Sequence, residues 1–251
     1  MRINTPYGEI ESNDGMDLSI PIGNNSKKVK AWYVDEPIIE PVTSDSFIGS
    51  VEKGAPVNFR NVFFNPHGHG THTETVGHIS KKIYSINEVA IPLFMKAILL
   101  TVEPKAIKSS SGEIDHLVEW SSFEPIQKEL ESAEAIILRV HMNAPKINVD
   151  FSSTNPPYLD KEIAVKLREI GIKHLLIDLP SVDKEMGEGV LAFHHAFWDF
   201  PNQVDLSRTI TELIHVPEEI EDGTYLLNLS VAPFENDASP SRPVIYKIWD
   251  K

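Results

Sequence analysis

The chain contains no cysteine. That excludes disulfides, thiolate metal sites and a cysteine nucleophile, and leaves nitrogen and oxygen as the donors for any metal. Long apolar runs are missing too. Stretches such as "AIILRV" and "AILLTV" fall far short of the roughly 20 residues needed to cross a bilayer as a helix. Positive charge is scarce: 23 Lys and Arg against 37 Asp and Glu give a formal net charge of −14, which repels nucleic acid phosphates and acidic membrane surfaces. The first residues, "MRINTPYGEIESNDG", have neither a basic start leading into an apolar run nor a small-residue cleavage site, so they do not read as a signal peptide. A GxSxG nucleophile elbow is also absent, which argues against a serine hydrolase. The expectation is a soluble, cytoplasmic protein with neither nucleic acid nor membrane as partner.

The length of 251 residues is enough to bury a substantial core and is read as one domain over residues 1–251. "MDLSIPI" (16–22) and "KAWYVDEPI" (30–38) alternate apolar and polar residues between Gly, Asn and Pro, which predicts two early strands near a sheet edge. "RNVFFNP" (60–66) reads as a strand ending at a proline, and "KAILLTVEP" (96–104) as a compact apolar strand. Residues 123–133 have helical spacing and lead into the strand 134–142. The order recurs in the helix 158–171, closed by Gly171, and the buried strand 173–181. Helix, turn and apolar strand, twice in succession, predict parallel strands flanked by helices. Three strand-like runs (209–217, 223–233 and 242–249) end the chain, so the fold class is α/β with a mixed sheet. Lys105–Glu113 and Asn143–Asn155 read as exposed loops.

One stretch concentrates chemistry. "NPHGHGTHTETVGH" (65–78) holds four of the chain's ten histidines: His67, His69, His72 and His78, with Glu74 among them. Imidazole and carboxylate suit Zn²⁺, Mn²⁺ or Fe²⁺, and three protein ligands with an open position define a catalytic site. Gly68 and Gly70 permit the tight backbone that turns nearby side chains toward one point. If "THTET" is extended, His72 and Glu74 share a face, with His78 farther along the same side. This is a layout for a metal beside an acid/base group, and it is not HExxH.

One loop rarely supplies a whole site. "LAFHHAFWDFP" (191–201) sets His194 and His195 between apolar residues, and "TITELIHV" (209–216) places Glu212 inside an apolar strand, where an isolated carboxylate is costly unless paired or bound to a metal. Asp178 and Asp183 follow a buried strand and are candidates to support ligands from behind. His116, His141, His174 and His215 lack such surroundings and read as structural or exposed.

The stretch "GHGTHTETVGH" resembles the H-x-G-T-H-x-D-x-P-x-H signature of the metal-dependent cyclase family, which includes bacterial kynurenine formamidases and isatin hydrolases. "DLSIPI", "IDLPSVD", His194, Glu212 and "DGTYLLNLSVAPFENDASPSRPVIY" extend the similarity in the same order over nearly the whole chain. The resemblance implies a swivelling β/β/α fold, a homodimer or homotetramer, and one or two divalent ions, with zinc the first choice and manganese the second. It makes His72 a ligand and puts Glu74 at the aspartate ligand position. His78 becomes the acid/base, and His194 (or its neighbour His195) and Glu212 become the distant ligands. The sequence departs from the signature at Gly68, where the family's first histidine falls, so that His67 or His69 has to replace it. It departs again at Glu74, one methylene longer than aspartate, and at Val76 in place of proline.

The function implied is a metal-dependent hydrolase of an amide C–N bond, acting through an activated water on an aryl formamide such as N-formylkynurenine of tryptophan catabolism. A cyclic amide, a cyclase or dehydratase reaction, and a non-catalytic metal-binding scaffold are the rival readings. Phe64, Tyr158 and Trp198 are candidates for an apolar substrate wall or for core.

Overall fold

The computed structural model describes residues 1–23, 28–109, 112–185 and 190–249. Eight strands build the main sheet: β1 (Met16–Asp17), β2 (His72–Glu74), β3 (Met95–Val102), β4 (Ala135–Val140), β5 (His174–Ile177), β6 (Thr209–Glu212), β7 (Gly223–Val231) and β8 (Ala238–Lys247). Their order is β7-β3-β4-β5-β6-β2-β8-β1, and β7 also pairs with β8, which closes seven strands into a barrel. The run β3-β4-β5-β6 is parallel; the other pairings are antiparallel. This is the mixed α/β sheet that the helix and strand order predicts.

The parallel strands β3, β4 and β5 are mostly apolar because both of their faces are covered. Ala97, Leu99, Ala135, Ile137 and Leu176 join Leu227, Leu229 and Ile245 on the inward face of the closed sheet. Their neighbours Ile98, Ile136, Leu138, Leu175 and Ile177 point the other way, against the helices α1 (Lys161–Ile170) and α2 (Ala192–Trp198). Each such side chain contributes about 1.5–3 kcal/mol by burial, and a one-residue slip would exchange the two faces, so the register is firmly set. In α1, Ile163, Ala164 and Leu167 form the buried stripe. The Asp160 carboxylate caps its start by accepting from Glu162 N at 2.8 Å, and Gly171 ends it at φ +105°.

Several predicted elements are corrected. Of the two early strands, only Met16–Asp17 joins the main sheet, beside β8. The run 30–38 is broken because Trp32 and Tyr33 adopt left-handed φ of 63° and 57°. Val29–Lys30 pairs instead with Val149–Asp150, inside the predicted loop 143–155, and Ile38–Pro41 pairs with Arg60–Phe63 in an exposed two-stranded arm. The helix predicted over 123–133 is reduced to short 3-10 turns around Pro125 and one helical turn, Gln127–Leu130. Lys105–Lys108 is a strand paired with Ile114–Val118, so the predicted loop there is largely a hairpin, with residues 110 and 111 outside the described segments.

Candidate metal centre

β2 lies between β6 and β8, with His72 opposite Glu212 and Glu74 opposite Ile210. Ile210 belongs to the helix-side core, so His72, Glu74 and Glu212 share the outer face of the sheet, as alternation along an extended strand requires. Thr73 points the opposite way and shares a 2.8 Å hydrogen bond with the Thr211 hydroxyl. The 3-10 turn Val76–His78 then brings His78 back over the same face, with the Thr75 hydroxyl accepting from Gly77 N. α2 delivers His194 from the other side. Asp183 holds the start of that helix, accepting from Phe193 N at 2.9 Å and His194 N at 3.1 Å.

Gly70 takes φ +124°, and a Cβ there would sit 2.8 Å from the Ile20 carbonyl, so the turn into β2 requires glycine. Gly68 is pressed against another segment: a Cβ would lie 2.8 Å from Val34 Cγ2 and 3.1 Å from the Ala31 carbonyl, and Ala31 N donates to the Gly68 carbonyl. A side chain at position 68 would require the segment carrying Ala31 and Val34 to shift.

The buried Glu74 carboxylate is the hub. Its Oε2 is 3.1 Å from His67 Nδ1 and 3.8 Å from His78 Nδ1, and its Oε1 accepts from His194 Nε2 at 3.1 Å. His194 Nδ1 donates to Asp183 at 2.6 Å, and Glu212 Oε1 lies 3.9 Å from His194 Nε2. His72 donates from Nδ1 to the Gly70 carbonyl at 3.1 Å. That bond fixes the tautomer and leaves a bare Nε2 facing Glu212 Oε2 at 3.5 Å. His67 donates from Nε2 to Asp237 at 2.9 Å, and Asp237 is 3.6 Å from His78 Nδ1.

Burial opposes charge on these groups, yet their mutual contacts prevail. Despite burial, bonds to Asp237 and Glu74 push His67 up to about 10, and bonds to Asp183 and Glu74 do the same for His194. Against the same desolvation, His78, His194 and His67 hold Glu74 well below the usual carboxylate range, and His67 and His78 hold Asp237 low. The carboxylates therefore recruit compensating cations. A divalent ion held by these residues would supply that compensation in place of protons on the imidazoles.

The donors fit such an ion. Two sets, His67–Glu74–His78 and His72–Glu74–Glu212, each bring their ligand atoms within 4.8 Å of one another, and they share Glu74. His72 Nε2 is buried without a hydrogen-bond partner, a costly state for a polar atom that a metal would relieve, and the buried Glu74 Oε2 has only imidazole nitrogens around it, His67 Nδ1 at 3.1 Å and His78 Nδ1 at 3.8 Å. Imidazole and carboxylate donors of this kind suit zinc or manganese.

The structure brings His67, His72, Glu74, His78, His194 and Glu212 together. It does not bring His69: that ring accepts from Asn65 N at 2.8 Å and donates to the Asp35 carbonyl at 2.5 Å, so both nitrogens are committed elsewhere. His195 likewise turns away, donating to the Phe200 carbonyl. Asp183 stands directly behind His194, whereas Asp178 pairs with Lys146 and accepts from Val140 N, away from the centre. Trp198 is core and donates to the Arg208 carbonyl. Phe64 packs on Phe234, and Tyr158 reaches toward Asp115. Asp237 is the residue that sequence reasoning missed. It lies in the tail that carries the family resemblance, but in sequence it is one acid among many, and only the β2–β8 pairing sets it beside the histidines.

Residues 16–184, more than half of the chain, match the Cyclase family, described as "Putative cyclase". The chain belongs to the cyclase family. Among curated relatives it is 26% identical over 239 residues to a kynurenine formamidase of Bacillus cytotoxicus, covering 94% of this chain and 99% of that one. It is 27% identical over 240 residues to the kynurenine formamidase of Bacillus anthracis, covering 93% and 97%. Among solved structures, isatin hydrolase A from Labrenzia aggregata superimposes with a TM-score of 0.64 at 12% identity, covering 94% of each chain. Isatin hydrolase A from Ralstonia solanacearum gives 0.59 at 12% identity, covering 92% and 91%. These two structures share the fold.

Proposed function

We propose that this cyclase-family chain is a metal-dependent hydrolase of an amide C–N bond, with an aryl formamide such as N-formylkynurenine as its substrate and one or two divalent ions, zinc first and manganese second, as its cofactor. The observation that carries the reading is the buried Glu74 carboxylate, shared by two donor sets beside a buried His72 Nε2 that has no hydrogen-bond partner. The kynurenine formamidase relatives, aligned over nearly their whole length, support the choice of substrate.

A divalent ion bound there polarises a carbonyl and lowers the pKa of water from near 16 to about 7. The chain's own residues do the rest. Glu74, His72, His67, His194 and Glu212 hold the centre on the rigid sheet and on α2. His78 has the most exposed side chain of the group at 32%, against 20% for His67 and none for His72. It stands on a turn instead of a strand, where it can meet a substrate. It takes the proton from the attacking water and returns it to the departing nitrogen, the task an imidazole performs well near neutral pH.

The assembly we propose is a homo-oligomer. On the arm that precedes the histidine stretch, Ile38, Phe59, Val62 and Phe63 are each at least half exposed, an apolar surface that a second copy would cover.

The test is elemental analysis of the purified protein, run with N-formylkynurenine and an isatin-like cyclic amide as substrates, before and after chelation and metal return. Stoichiometric metal with chelator-sensitive formamide hydrolysis is expected. Turnover of the cyclic amide alone would move the substrate class. Metal without turnover of either would favour the scaffold reading, and no metal under any loading condition would overturn the proposal.

A further inference from the structure

Two aspartate–histidine pairs flank Glu74, and they are built in opposite senses. His194 gives Nδ1 to Asp183 and turns Nε2 toward Glu74 and Glu212. His67 gives Nε2 to Asp237 and turns Nδ1 toward Glu74. In each pair one ring nitrogen is committed to a carboxylate behind it, which fixes the orientation of the ring and presents the other nitrogen to the centre. This is the usual arrangement behind a metal-ligating histidine.

His67 needs such a partner more than the others do. His72 sits on β2 and His194 on α2, where the backbone fixes their direction. His67 lies on the loop before Gly68, and its ring is partly exposed. Its fixed neighbours come from elsewhere. Asp237 stands at the foot of β8, where its carbonyl accepts from Thr75 N at 3.0 Å, the adjacent Asn236 carbonyl accepts from Ile86 N at 2.8 Å, and Ala238 lies opposite Glu74 in the sheet. A side chain at Gly77 would meet the Tyr84 backbone at 2.5 Å and 2.7 Å and Asp237 Cβ at 3.0 Å, so the turn that carries His78 packs closely on the aspartate. The carboxylate is thus anchored to the same strand pair that carries Glu74.

We propose that Asp237 is the positioning residue that makes His67 a metal ligand, restoring from one residue upstream the donor that the closely packed Gly68 does not carry. Glu74, one methylene longer than aspartate, extends to meet the displaced imidazole. The inference rests on the metal-centre reading above and adds to it a residue and a reason for the altered histidine spacing.

The experiment is a calorimetric titration of Zn²⁺ or Mn²⁺ into the metal-depleted full chain, for wild type, Asp237→Asn, His67→Ala and the double variant, with thermal unfolding of each metal-free protein as the control for folding. Asp237→Asn is expected to weaken, by roughly 10–100-fold, the binding event that His67→Ala removes, and the double variant is expected to match His67→Ala alone. If Asp237→Asn proves unfolded, Asp237→Ser is taken through the same cycle. Wild type that binds no metal would overturn the metal-centre reading and this inference together. Wild type that binds while Asp237→Asn binds equally well would overturn this inference alone, as would a further loss of affinity on adding Asp237→Asn to His67→Ala, because the aspartate would then act through another residue.

Discussion

The Thr71 hydroxyl donates to the Leu213 carbonyl at 2.5 Å and accepts from Ile20 N at 2.7 Å. One buried oxygen thereby joins the histidine loop, the segment after β1 and the residue that follows Glu212. Leu213 is held at a left-handed φ of 55°, a strained state for a branched side chain. That turn ends β6 immediately after Glu212 has been aimed at His72. Thr71→Val, which keeps the shape and removes the hydroxyl, strands one buried donor and one buried acceptor. The cost is about 2 kcal/mol or more, or roughly 4–8 °C in Tm for a domain of this size. Thr71→Ser should retain most of the stability and of the metal affinity. Equal melting of Thr71→Val and wild type would show that the three-way link is not holding the turn.

Glu74 belongs to both donor sets, so its substitutions test whether the two are one centre. Glu74→Gln preserves volume and removes the charge, and should abolish stoichiometric metal binding at micromolar metal. Glu74→Asp tests the match between the longer carboxylate and the displaced His67: the shorter arm withdraws from His67 Nδ1, now 3.1 Å away, and metal affinity should fall roughly 10–100-fold. Affinity equal to wild type in Glu74→Asp would mean that carboxylate length and histidine position are independent.

The centre was legible in the sequence where it depended on local periodicity. The alternation in "THTET" was enough to put His72 and Glu74 on one face, and the strand was found extended. An acid in an apolar strand was enough to single out Glu212, which is buried at the end of β6. The choice between His67 and His69 was not legible. It turns on whether a ring two residues along the loop finds the Asp35 carbonyl, a contact across more than thirty residues. Asp237 escaped for the same reason, since its partners are set by the pairing of β2 with β8. The parallel core strands were readable because burial on both faces leaves a continuous apolar run. The early strands were misread because left-handed residues at Trp32 and Tyr33 interrupt a pattern that hydrophobicity alone presents as unbroken.

His174 offers a pH test away from the metal centre. It opens β5 almost fully buried, with its Nδ1 2.9 Å from the Thr209 hydroxyl. Desolvation disfavours its charged form and depresses its pKa from the ordinary 6.5 to about 4. Between those two values the unfolded chain binds a proton that the folded chain refuses. Stability therefore rises with pH across this window, and it is lost progressively as the pH falls below about 6.5 toward 4. The full span corresponds to at most about 3 kcal/mol. His174→Asn keeps a polar group beside Thr209 without a titrating ring, so its melting temperature should fall less than that of wild type between pH 7.5 and pH 5. Parallel pH profiles for the two proteins would mean that His174 is protonated as readily in the fold as outside it.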